Sequence, residues 1–321
     1  MAYVTFSTAF DAGRVDFHQA FKGLTLPITL PPQSLTIPAL SLDLLGVTAD
    51  LKEQHIDIDE TVVVRFGADQ QLTMGGSGLD PTWAGRPTAG TISLLSMSGT
   101  AAPFLAVGLD LDGAVFGAAA ASSSISDDAA VMRAVFAGND LVRLSGGNDL
   151  VDTGPGRDLI IDSAGADTIR AGDGGDLVAA GSGDDLVAGG AGRDILLGAG
   201  GADRLSGGAR GDILSAGPGD DTLTGGNGSD VFIFTTGDGA DLLRDFSVVH
   251  DQILITGSAT SLNDLTLTQH GSSARITFDD VTITLRHVDP HSLTDANFLF
   301  NDATPLTDAL QNFFTGWQFI A

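Results

Sequence analysis

Between Gly138 and Phe234 one pattern of apolar and polar positions recurs every nine residues. Its apolar member is Val142, Val151, Ile160, Ile169, Val178, Val187, Leu196, Leu205, Leu214, Leu223 and finally Phe232. Two residues before each stands an aspartate: Asp140, Asp149, Asp158, Asp167, Asp176, Asp185, Asp194, Asp203, Asp212, Asp221 and Asp230. Two residues before each aspartate stands glycine, among them Gly156, Gly174, Gly183, Gly192, Gly219 and Gly228; only Arg210 departs. At this chain's aspartate frequency such a run has a chance probability on the order of 10⁻¹⁰, so it is a true internal repeat. Each nonapeptide divides into a six-residue loop ending in Asp and a three-residue strand whose middle residue points inward. Reversing turns put successive loops on opposite edges, so each loop stacks on the second one along. One edge then carries Asp140, Asp158, Asp176, Asp194, Asp212 and Asp230; the other carries Asp149, Asp167, Asp185, Asp203 and Asp221.

Outside the repeat the pattern changes. Ile56 and Ile58 alternate with acids, Val62, Val64 and Phe66 share one face, and residues 90–99 and 103–111 form further short apolar strands. Upstream, Pro27, Pro31, Pro32 and Pro38 favour an extended arm or irregular edge over helix. Residues 125–138 predict a short helix, with Ser126 as cap, Asp127 and Asp128 at its positive end, and Val131, Met132 and Val135 apolar. Such a helix closes the open end of the repeat. Downstream, strands are expected at 265–269, 274–279 and 281–288. In the tail, Thr304 as cap, Pro305 at the first turn, and Leu306, Leu310, Phe313 and Phe314 predict an amphipathic helix that Gly316 stops. The expected fold is all-β: a parallel β-roll or β-solenoid flanked by β-rich N- and C-terminal regions with a few short capping helices. The boundaries fall at 1–137, 138–245 and 246–321.

The charge narrows the choice of partner. A net charge of −26 repels nucleic acid and anionic lipid. Of the 41 acidic residues only Glu53 and Glu60 are glutamate. Aspartate is the shorter side chain, suited to holding a carboxylate beside its own backbone turn. The implied partner is a divalent cation, and Ca²⁺, which takes six to eight oxygens, fits stacked carboxylates and glycine carbonyls. The candidate ligands are the ladder aspartates, the tandem acids Asp184 and Asp220, and the inner glycines named above. Eleven loops leave up to about nine gaps for ions between stacked neighbours. The loops before Asp140 and Asp149 lack the leading glycine pair and make weaker sites. Arg210 places a cation among prospective ligands, so its gap is either empty or rebuilt as an Arg–Asp pair. With 25 glycines in 97 residues and carboxylates that repel one another, residues 138–245 are expected to be disordered without calcium and folded with it.

There is no cysteine, hence no disulfide framework or thiolate metal site. The N-terminus shows no basic-then-apolar leader, and no apolar run is long enough to span a bilayer as a helix.

GGAGRDILL (189–197) and GGNGSDVFI (225–233) resemble the nonapeptide GGxGxDxUx of RTX calcium-binding proteins, which form a parallel β-roll. Residues 228–255 resemble the segment that follows such arrays, and 288–300 resemble the ends of such proteins. The resemblance implies export by a type I system that reads an uncleaved C-terminal signal. It also implies an extracellular or cell-surface location on a Gram-negative bacterium. The amphipathic tail helix with its apolar end is similar to that signal.

No HExxH, GxSxG or Walker loop occurs, and no catalytic residue is assigned. Gly75-Gly76-Ser77-Gly78 is read as a turn. Asp57 and Asp59 point to the solvated side of an alternating strand. His18 sits in a polar turn with Asp11 and Asp16, and Pro290 between His287 and His291 prevents the helix that would align them as zinc ligands. Two functions are weighed. One is a self-associating component of a surface layer, matrix or filament, a homo-oligomer or lattice, because a solenoid offers stackable edges and flat faces. The other is a secreted hydrolase or lyase that uses the roll for folding and export.

Overall fold

The computed structural model describes the strands between Tyr3 and Asp112, and residues 136–144, 146–302 and 304–315. The chain divides into two compact units, built on Met1–Leu144 and Ser145–Gly316.

In the Ser145–Gly316 unit an inward apolar residue every nine positions coils the chain into a parallel β-solenoid. One sheet takes Leu159–Ile161, Leu177–Ala179, Ile195–Leu197, Ile213–Ser215, Val231–Thr235, Gln252–Thr256 and Phe298–Phe300 in that order. Leu159 lies opposite Leu177, Leu177 opposite Ile195, and Ile195 opposite Ile213, so one coil is two nonapeptides. The facing sheet takes Leu150–Asp152, Thr168–Asp173, Leu186–Ala191, Arg204–Ala209, Thr222–Asn227 and Ala240–Leu243. It ends in Val281–Leu285, Ser273–Phe278 and Thr266–His270, which turn antiparallel and stop the coil. Ile160, Val178, Leu196, Leu214 and Phe232 from the first sheet, and Val151, Ile169, Val187, Leu205 and Leu223 from the second, are all buried.

The two sheets differ in ways the ninefold pattern does not announce. Three-residue strands occur on the first sheet, whereas those on the second run to six residues. Glycines extend the pairing there, with Gly172, Gly190, Gly208 and Gly226 in one column. On the first sheet the residue after each ladder aspartate is covered: Leu159, Leu177, Ile195 and Ile213 are buried. On the second sheet the same position is open, with Leu186 48% exposed and Arg204 exposed.

Helix α1, Thr304–Thr315, lies on the side of the first sheet. It buries Leu306, Leu310 and Phe313, and its Pro305, Ala309 and Phe313 line a cleft with Ile195, Ile213 and Val231 of the first sheet. The Arg157 guanidinium lies over the Phe313 ring, 5.6 Å from its centroid. The apolar stripe falls where the sequence places it. At the helix start, however, Asp302 supplies a carboxylate that accepts from the Thr304 N–H at 3.0 Å.

In the Met1–Leu144 unit the main sheet runs Ile28–Leu30, Glu60–Phe66, Gln70–Ser77, Thr91–Ser98, Phe104–Asp112, Tyr3–Phe6 and Leu141–Arg143. Pairing is antiparallel except that Tyr3 lies parallel to Leu141. Separate hairpins join Gln33–Ile37 to Gln54–Ile58 and Leu40–Leu44 to Val47–Leu51. The alternating run from His55 to Phe66 is two strands with different partners. Ile28–Leu30 is a short strand at the edge of the main sheet, in keeping with the edge that the neighbouring prolines favour. One reading is corrected here, that of Gly75 and Gly76. Gly75 and Gly76 belong to a strand and carry a register shift, as a bulge requires, not a turn. Of the helix expected over 125–138, residues 125–135 lie outside the described residues, as does His18, and residues 136–138 form a turn.

Candidate metal centre

Each ladder aspartate reaches back one coil. The Oδ1 of Asp176 accepts from the Asp158 N–H at 2.8 Å, Asp194 from Asp176 at 2.9 Å, and Asp212 from Asp194 at 2.9 Å. Asp230 continues that edge by accepting from the Asp212 N–H at 2.9 Å. On the opposite edge Asp167 accepts from Asp149 at 2.6 Å, Asp185 from Asp167 at 2.8 Å, Asp203 from Asp185 at 2.9 Å and Asp221 from Asp203 at 2.7 Å. The sequence thus stacks its aspartates as two columns, each carboxylate capping the start of the strand beside it.

The second oxygen is the informative one. In Asp167, Asp176, Asp185, Asp194, Asp203, Asp212, Asp221 and Asp230 the Oδ2 atom is buried and has no hydrogen-bond partner. A buried anionic oxygen left unmatched costs free energy that only a proton or a cation can recover. Burial accordingly pushes the Asp176 and Asp185 carboxyls up to about 7, Asp212 up to about 8, and Asp194 and Asp221 up to about 6. The backbone hydrogen bond to Oδ1 opposes each rise.

The space beside these oxygens exists because the loop starts with glycine. A Cβ on Gly189 would sit 2.5 Å from Asp194 Oδ2 and 2.8 Å from the Gly207 carbonyl oxygen of the next coil. On Gly198 it would overlap Asp203 Oδ2 and lie 2.8 Å from the Ala216 carbonyl oxygen; on Gly207 it would overlap Asp212 Oδ2 and lie 2.7 Å from that of Gly225. At these rungs a carboxylate and a carbonyl oxygen from successive coils converge on a hollow without a side chain. Hard oxygens from two loops are the donor set Ca²⁺ takes, so the residues present fit that ion. The inner glycines are needed for packing: Gly174 has φ +146°, and a Cβ on it would overlap the Gly156 carbonyl oxygen.

Four further features refine the sequence reading. Arg210 adopts φ 84°, the left-handed conformation, in a column otherwise made of glycine. Its carbonyl keeps its place under Gly228, while the residue itself is exposed and lines the outer cleft. Asp212 stays buried, and the charges acting on it are Asp194 and Asp230, so the ladder passes this rung without an Arg–Asp pair. Asp184 and Asp220 are exposed, off the buried columns, and accept from the backbone N–H of Ala202 at 2.8 Å and Ala240 at 3.2 Å. Asp162 stands where Gly198 stands two coils on; it is buried beside Asp167, and burial first, then the hydrogen bond with the Asp167 carboxylate, push it up to about 8.

The ladder also outlasts the nonapeptides. Asp241 accepts from the Asp221 N–H and Asp251 from the Asp230 N–H, both at 3.0 Å. The ninefold count misses both because the spacing lengthens after Asp230. The surviving signal is an apolar residue two positions on, Leu243 and Ile253, both buried. Asp245 adds a carboxylate that accepts from the Gly225 and Gly226 N–H groups at 3.0 and 2.8 Å.

Two parallel sheets closed over inward apolar columns, with stacked carboxylates along both edges, define a parallel β-roll of the calcium-binding kind. Residues 137–160, 152–187, 161–196, 180–209, 197–232 and 206–243 match the family described as RTX calcium-binding nonapeptide repeat, four copies. The segment from 137 to 243 is therefore an array of RTX calcium-binding repeats. No curated protein sequence matches the chain. Among solved structures, the extracellular lipase LipA from Serratia marcescens is similar at 21% identity and TM-score 0.32, over 50% of this chain and 38% of the lipase. The AlgE6R2 subunit of the Azotobacter vinelandii mannuronan C5-epimerase is similar at 27% identity and TM-score 0.31, over 38% of this chain and 92% of the subunit. No helix among the described residues is long and apolar enough to cross a membrane.

Proposed function

We propose that this protein is an extracellular, calcium-folded scaffold component that associates with copies of itself in a surface layer, matrix or filament. The observation that carries the reading is the pair of carboxylate columns, whose inner oxygens are buried and unmatched from Asp167 to Asp230. Calcium held between coils by Asp194, Asp203 and Asp212 with the neighbouring carbonyls would supply the missing positive charge. The ladder aspartates, Asp140 to Asp230, are the proposed ligands, and Asp241 and Asp251 extend their columns. Sites of extracellular type bind at roughly 10⁻⁴–10⁻³ M, above cytosolic free calcium, so the roll folds only after export. Export through a type I system fits the amphipathic helix α1 near the C-terminus, which docks on the roll once folded. Association is supported by the uncovered face of the second sheet, where Leu186 and Arg204 are exposed.

Electron microscopy and sedimentation of the full chain with calcium and with EDTA test the reading. Calcium-dependent sheets or filaments are expected. Monomers at every calcium and protein concentration would overturn self-association and leave calcium-dependent folding to be judged by circular dichroism.

A further inference from the structure

One loop residue precedes each ladder aspartate, and its chemistry differs between the two edges. On the edge of Asp158, Asp176, Asp194, Asp212 and Asp230 these residues are Arg157, Gly175, Arg193, Gly211 and Ser229. On the opposite edge, of Asp149, Asp167, Asp185, Asp203 and Asp221, they are Asn148, Ala166, Asp184, Ala202 and Asp220. Guanidinium and carboxylate therefore stand on opposite edges, and each pair is 36 residues apart, which is two coils. Parallel strands lie ~4.8 Å apart, so the backbone positions of both pairs repeat at roughly 10 Å, with the Arg157 guanidinium reaching towards Gly175 of the coil between. In each case the intervening coil carries a residue no larger than alanine.

Arg157, Asp184 and Asp220 are held by contacts within the chain. Arg157 is half-buried and stacked on Phe313, and Arg193 is exposed beside it on the same edge. A cleft of ≈ 910 Å³ opens next to them against α1, lined also by Arg210 and Asn312. Asp184 and Asp220 are exposed, and each has one carboxylate oxygen fixed by a backbone N–H of the next coil. In a chain of net charge −26, a concentration of arginines on one edge is out of keeping with the composition.

We infer that the Arg157–Arg193 edge of one copy docks on the Asp184–Asp220 edge of a second copy, two charge-assisted pairs at matched spacing setting the rolls side by side. The inference rests on the self-association reading above and names its contact. Because the two edges differ, the contact is heterologous and does not close: every docked copy presents a fresh arginine edge and a fresh aspartate edge. Pairs of this exposure are weak singly and screened by salt, so the matched repeat sets register and the number of copies sets strength.

The test uses full-length R157E/R193E and D184R/D220R in millimolar calcium, followed by sedimentation velocity and by circular dichroism for folding. Each variant alone is expected to need a roughly hundredfold higher concentration to associate, because like charges then face each other. Mixed one to one, the two should assemble as the unaltered protein does, since each swapped edge meets its complement. If R157E/R193E associates like the unaltered protein, the docking inference is overturned while self-association stands. If the unaltered protein never associates, the reading beneath it fails as well. Should D184R/D220R not fold, R193E alone decides: retained assembly at unchanged concentration rejects the contact, and a shift supports it.

Discussion

Asp194 accepts a hydrogen bond from the backbone N–H of Asp176 through Oδ1 at 2.9 Å, and its Oδ2 is buried with no partner. One oxygen holds two coils in register; the other asks for a cation. Repeated along both edges, this arrangement makes the roll stiff and conditional at once.

Calcium removal is the first consequence. With EDTA the repulsion among the columns is no longer neutralised, and residues 145–255 should lose most of their β signal in circular dichroism. Restoring millimolar calcium should return it. A far-ultraviolet spectrum unchanged by EDTA would contradict the ladder's role.

Protons should substitute for calcium in part. The raised carboxyls bind protons in the folded state that the unfolded chain, near 3.8, does not hold. Without calcium, their contribution is fully present below about pH 3.8 and is lost as pH rises through the range from about 6 (Asp194) to about 8 (Asp212). The calcium-free roll should therefore gain structure on acidification from pH 8 towards 4. In calcium the order reverses, because protons compete for the same oxygens. A pH series of thermal melts with and without the ion checks both signs.

Replacing Asp194 with Ala removes the cap on the Asp176 N–H and one proposed ion ligand. The loss of a buried hydrogen bond alone costs about 1–3 kcal/mol. The calcium midpoint of folding should move up, whereas Asp152→Ala, at an exposed strand end, should leave it in place. Calcium titration followed by circular dichroism distinguishes the two.

Glycine substitutions should separate by position. Gly174→Ala places a methyl on the Gly156 carbonyl oxygen at a positive φ and should destabilise by more than about 2 kcal/mol. For Gly200→Ala the nearest atom is the Pro218 carbonyl oxygen at 4.0 Å, so the change should be small. Conversely, Ala199→Gly, at φ 73°, should stabilise by about 1 kcal/mol. Thermal melts in saturating calcium rank the three.

Phe313→Ala empties a buried site of α1 and removes the ring beneath Arg157. A cost of about 3–5 kcal/mol is expected, typical of a core aromatic. Hydrogen exchange should report it first in α1 and in the outer positions Ile195 and Ile213, while the carboxylate ladder stays protected.

What the sequence by itself determined was whatever depends on strict repetition. A nine-residue period with one inward apolar residue has one compact solution, so the coil, the two aspartate columns and the ion class follow from counting. The stripe of α1 was equally plain, because Leu306, Leu310 and Phe313 obey the helical period. Other features needed the tertiary structure. Arg210 looks like a break in the ladder, but a left-handed backbone turns it outward and leaves its carbonyl in line. Asp241 and Asp251 fall off the ninefold count, yet strand pairing across the longer loops brings them into the columns. Ile195, Ile213 and Val231 share a cleft with α1, a neighbour that no count along the repeat announces. Local periodicity is set by neighbours along the chain, whereas these outcomes depend on which coil, helix or sheet edge lies alongside.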